Sequence, residues 1–78
     1  MNSKQEIFIL LYLFILGKHQ PPEWCAQLRD DVISILKNCP YDSCFKYELI
    51  QKALPYSSKR LRFYSEFIKF VDIYLKLI

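Results

Sequence analysis

The sequence predicts an all-α fold, a compact bundle of about four short helices forming one domain over residues 1–78. Three observations carry that expectation. Apolar residues make up 53% of the chain and charged residues 24%, enough oil for a core and too little charge for a disordered chain. Clusters of turn-forming residues at Gly17 to Pro22, Cys39 to Ser43 and Pro55 to Ser58 divide the 78 residues into four segments. In the second and third segments apolar residues fall on one stripe at helical period, and in the fourth polar residues recur in steps of three or four, the period of a helix and not of a strand.

The first segment opens with Ser3 and, three residues later, Glu6. This is the spacing of a capping box, in which both side chains satisfy free N–H groups at a helix start. A helix over about residues 4–16 is expected to stop at Gly17, the residue type best suited to a left-handed conformation. Residues 7–16 form an unbroken apolar run of ten, so this helix has no polar face and must be covered all round. The run is far shorter than the roughly 20 residues that a membrane-spanning helix needs, so no membrane span is expected. Lys4 ahead of apolar residues resembles the start of a secretion signal. However, Gly17-Lys18-His19-Gln20 is a poor match to a small-residue cleavage site, and the segment is read as part of the fold.

The second segment, over about residues 22–38, begins at Pro21-Pro22, because a first-turn proline lacks only an N–H that would be unpaired there. Glu23 suits the positive end of the helix dipole. Trp24, Leu28, Val32, Ile35, Leu36 and Cys39 form one apolar stripe. Gln27, Arg29, Asp30, Asp31, Ser34 and Lys37 occupy the other side. Asp30 and Asp31 diverge by about 100° as helix neighbours, so they are not a shared carboxylate pair and are expected to face water. Pro40 ends the helix.

The third segment, about residues 43–54, has Asp42 or Ser43 as its cap. It sets Phe45, Leu49, Ile50, Ala53 and Leu54 against Lys46, Glu48, Gln51 and Lys52 before Pro55 stops it. The fourth, about residues 58–76, starts after a cap at Ser57 or Ser58. Its polar stripe is narrow (Lys59, Arg62, Ser65, Glu66, Lys69, Asp72, Lys76), leaving more than half of the circumference apolar. The core is expected from segments one, two and four, with Trp24, Leu28, Val32, Leu36, Leu49, Phe67, Ile68 and Val71 central.

The net charge is +3, unevenly placed: residues 1–42 carry −1 and residues 43–78 carry +4. Three cysteines, Cys25, Cys39 and Cys44, cannot all pair within one chain, which fits an intracellular setting, cytoplasm or nucleus, although an intermolecular disulfide or a Cys39–Cys44 bridge stays open. With His19 these cysteines supply zinc-type ligands. Their spacing matches no finger pattern and contains no Cys-x-x-Cys knuckle, so no metal and no cofactor are expected. Catalysis is not expected either. The only histidine is His19, and the chain lacks a glycine-rich phosphate loop and the nucleophile and metalloprotease motifs.

The strongest functional signal is surplus oil. A folded chain of this mass exposes roughly 5,000 Å², and four short helices have difficulty covering two mostly apolar ones at once. Large exposed apolar patches mark binding surfaces. The sequence thus points to a non-catalytic protein-interaction module, an adaptor, inhibitor or complex subunit, acting as a homodimer or docked in a larger complex. Its anchors are expected on segment four at Phe63, Tyr64, Phe67, Phe70 and Tyr74, because aromatic residues concentrate binding energy. The alternative is a nucleic-acid partner. Segments three and four then act as a helix-turn-helix, with Lys59, Arg60 and Arg62 at the start of the second helix as the anion contacts.

Overall fold

The computed structural model describes residues 3–77, and the side chains of Ser3 and Leu77 lie outside that description. It contains α1 (Ser3–Leu16), α2 (Pro22–Leu36), α3 (Ser43–Ala53) and α4 (Ser58–Leu77), with no strand among the described residues. The helices form a ring in chain order: α1 packs on α2, α2 on α3, α3 on α4, and α4 back on α1. At 1.5 Å per residue the 20-residue α4 rises about 30 Å. It therefore runs nearly the length of a molecule measuring 33 × 25 × 18 Å.

The caps follow the side-chain chemistry. Asp42 caps α3, its Oδ1 accepting from the Phe45 N–H at 3.1 Å. That bond, with one from the Cys39 thiol, holds the Asp42 carboxyl below the ordinary range. At α4 the cap is Ser57, whose Oγ accepts from the Arg60 N–H at 3.2 Å. Pro21 precedes α2 in an extended conformation and Pro22 takes the first helical position. The capping box expected at Ser3 rests on a side chain outside those described.

Gly17 departs from expectation. No described residue has a left-handed backbone. The Gly17 N–H instead donates to the carbonyls of both Leu13 and Phe14, each at 3.2 Å, and Lys18 N–H donates to Ile15. Thus α1 ends by tightening its last turn, and the terminal carbonyls are satisfied without left-handed geometry.

One core joins all four helices. α1 contributes Ile7, Leu10, Leu11 and Phe14, and α2 contributes Leu28, Val32, Ile35 and Leu36. Beyond the expected Leu49, α3 also contributes Phe45 and Ala53, and α4 brings Phe63, Tyr64, Phe67, Ile68 and Val71. Of the residues expected at the centre only Trp24 is peripheral, partly buried with its ring 6.3 Å from that of Phe63.

Two polar locks cross this core. Asp31 was expected at the surface but is buried, 6% exposed, while Asp30 is exposed beside Arg29. The Tyr64 hydroxyl donates to Asp31 Oδ2 at 2.6 Å and Gln27 Nε2 donates to Oδ1 at 3.0 Å, which ties α4 to α2. Burial first, then this bond, pushes the Tyr64 phenol above its usual pKa. In the second lock, the Tyr41 hydroxyl donates to the Ile68 carbonyl at 3.1 Å and to Asp72 Oδ1 at 2.9 Å. Lys46 Nζ lies 2.9 Å from the same carboxylate oxygen. Burial alone would raise the Asp72 pKa, but the Lys46 and Tyr41 hydrogen bonds outweigh it and hold the carboxyl below the ordinary range.

Candidate interaction surface

The apolar run of α1 resolves into two stripes at helical spacing. Ile7, Leu10, Leu11 and Phe14 point inward. Ile9, Tyr12, Leu13 and Leu16, offset by about half a turn, point to solvent and are 54%, 62%, 51% and 80% exposed. The two stripes share the same i, i+3, i+4, i+7 pattern, and only three neighbouring helices are available to cover them. The described surface totals 5118 Å², close to what a chain of this mass exposes. The oil on the outer stripe is therefore a matter of placement rather than of an unusually open fold.

Beside this stripe an open groove of about 380 Å³ runs between α1 and α4. Leu13 and Phe14 form one wall, Phe70 and Ile73 the other, and the Lys18–Glu66 ion pair (2.9 Å) lies at its side. Ile73 is 59% exposed, so the apolar surface continues from α1 onto the last turns of α4.

The anchors expected on α4 divide into two groups. Phe63, Tyr64 and Phe67 are buried, at most 2% exposed, and belong to the core instead of the surface. Their positions repeat every three or four residues on the face turned toward the other helices, and Phe14 of α1 closes over them, its ring centroid 5.4 Å from those of Phe63 and Phe67. Phe70 and Tyr74 stay accessible, their rings 4.6 Å apart, with Phe70 also 5.5 Å from Phe14. The residues not expected are Ile9, Tyr12, Leu13 and Leu16 of α1 and Ile73 of α4. For those on α1 the signal in the sequence is the absence of any charged or amide residue from Ile7 to Leu16, which leaves one apolar side over whichever side packs.

The basic start of α4 is also divided. Lys59 and Arg62 are exposed and edge a cleft of about 260 Å³ beside Trp24 and Gln20. Arg60 folds back, its guanidinium 4.4 Å from the Tyr56 ring centroid and 5.5 Å from that of Trp24, within cation–π range. Its Nε is buried and has no hydrogen-bond partner among the described residues.

The zinc-type ligands do not converge as one set. His19 is exposed in the α1–α2 connection, and Cys25 lies in the first turns of α2 with its thiol pushed up by burial. Cys39 and Cys44 lie beyond the other end of α2, roughly 20 Å of helix away. No described helix is long and apolar enough to cross a membrane. No protein-family model matches the chain, and no curated protein or solved structure shows significant similarity to it.

Proposed function

We propose that the protein is a small non-catalytic interaction module that associates with a second copy of itself through the outer stripe of α1 and the adjoining end of α4. The observation that carries this reading is the continuous exposed row Ile9, Tyr12, Leu13 and Leu16, flanked by Ile73. Contiguous apolar surface of this kind gains free energy when removed from water, and soluble proteins rarely leave it open. The stripe itself contains no charge and adds no like-charge repulsion between two copies, while Lys69 lines the adjoining groove. The stripe's helical spacing also lets its ridges fit between their symmetry mates across a two-fold axis.

Light scattering coupled to size exclusion tests it. The wild type is expected to run as a dimer, and Leu13→Glu as a monomer with unchanged far-ultraviolet circular dichroism. A wild type that stays monomeric up to millimolar concentration overturns the reading.

The exposure of Lys59 and Arg62 beside an aromatic-edged cleft favours a second reading, a nucleic-acid contact at the start of α4. It requires binding that weakens steeply with added salt and is lost in Lys59→Glu/Arg62→Glu. Binding insensitive to either change removes it.

A further inference from the structure

The α2–α3 connection brings together three donor atoms that the apolar surface does not use. After the last turn of α2, Pro40 reverses the chain, so Cys39 at one helix end faces Asp42 and Cys44 at the start of the next. The Cys39 and Cys44 sulfurs and an Asp42 carboxylate oxygen all lie within 4.8 Å of one another. The Cys39 thiol donates to Asp42 Oδ1 at 3.4 Å. In a tetrahedral zinc site with bonds of about 2.3 Å to sulfur and 2.0 Å to oxygen, the sulfur–oxygen edge is about 3.5 Å. One edge of the ligand polyhedron is thus already at the required length before any ion enters.

We propose that Cys39, Asp42 and Cys44 bind a single zinc-class divalent cation, with a fourth position on the side of the open hollow that Glu48 and Lys52 also line. Two thiolates select a borderline or soft ion over magnesium or calcium, which prefer all-oxygen sites. As the ion binds, both thiols release their protons to solvent. Two thiolates and one carboxylate then surround a doubly charged cation, and the hydrogen bond from the Cys39 thiol to Asp42 is replaced by two bonds to the metal.

The surroundings hold the donors in place. Asp42 is fixed by the Phe45 N–H. Tyr41, between Cys39 and Asp42, packs its ring 5.0 Å from that of Phe45 and anchors its hydroxyl on the Ile68 carbonyl and Asp72. Partners of this kind orient ligands and raise affinity. The ion would link the end of α2 to the start of α3, where the chain otherwise relies on a helix cap.

The test is a titration of the metal-free chain with Co²⁺ under a non-thiol reductant. Expected are a thiolate-to-cobalt charge-transfer band, tetrahedral d–d bands, a stoichiometry of one ion per chain, and bleaching when Zn²⁺ is added. Cys39→Ser and Cys44→Ser should abolish the charge-transfer band, while Cys25→Ser should retain it. Asp42→Asn preserves the helix cap. It should keep the metal-free melting point yet weaken Co²⁺ binding by at least about 10-fold, the low end of the loss that follows removal of even an outer-shell partner. Absence of the band in the reduced wild type overturns the proposal. So does a band of unchanged intensity in Cys44→Ser, or one ion shared between two chains.

Discussion

α1 and α4 lie side by side, yet they meet the rest of the molecule on different terms. α4 is fixed by direction as well as by burial: Tyr64 bonds to Asp31 of α2, and the Ile68 carbonyl and Asp72 receive Tyr41 from the α2–α3 connection. α1 is seated by four inward apolar side chains, with the Lys18–Glu66 pair just past its end. That pair is substantially exposed on both sides, and such pairs contribute about 0–1 kcal/mol. Apolar burial holds a helix against its neighbours but says little about its rotation, whereas a buried hydrogen bond is made at one rotation only. A helix that carries oil on every side needs something else to choose its inner face. In α1 the side that packs is the one that carries Phe14, whose ring sits among those of Phe63, Phe67 and Phe70.

The sharpest way to break this contrast is Phe14→Ala. Removing the ring from the centre of an aromatic cluster should cost about 3–5 kcal/mol of stability in urea unfolding. A cost under about 1 kcal/mol would mean that α1 is not seated by this residue. Next in size is Tyr64→Phe, which leaves the Asp31 carboxylate with Gln27 as its remaining partner. The expected loss is about 1–3 kcal/mol by thermal melting, and no loss would deny the lock its role in fixing α4. The smallest effect has the opposite sign. Gly17 is not left-handed, and an added Cβ would sit 3.7 Å from the Leu13 and Phe14 carbonyl oxygens, ordinary contact distance. Gly17→Ala should therefore stabilise the protein by about 0.4–1 kcal/mol through the unfolded chain, and destabilisation would restore the left-handed stop to α1.

The contrast also accounts for what could be read from the sequence. Periodicity and turn residues place all four helices within two residues of their observed ends, because Pro40, Pro55 and the caps at Asp42 and Ser57 act locally. The polar stripe of α4 marks its outer side, and that same mark implies that Phe63, Tyr64 and Phe67 point inward. The other three helices cover that face, which makes these residues core and not anchors for a partner. Asp31 had a legible signal as well. It falls three residues after Leu28 and four before Ile35, on the buried side of α2, and a carboxylate there requires a buried donor. The rotation of α1 was not legible, since the unbroken apolar run of residues 7–16 gives every side of that stretch equal claim to the core. The grouping of Cys39, Asp42 and Cys44 depends on how tightly the chain turns at Pro40, which residue spacing leaves open.

Trp24 is the only indole in the chain, and it stands where the beginnings of α2 and α4 come together, against Phe63 and under the Arg60 guanidinium. Its fluorescence consequently comes from one address. Any event that pries those two helix starts apart will change the emission colour and intensity of a single fluorophore, giving an unlabelled optical gauge of that joint during unfolding or assembly.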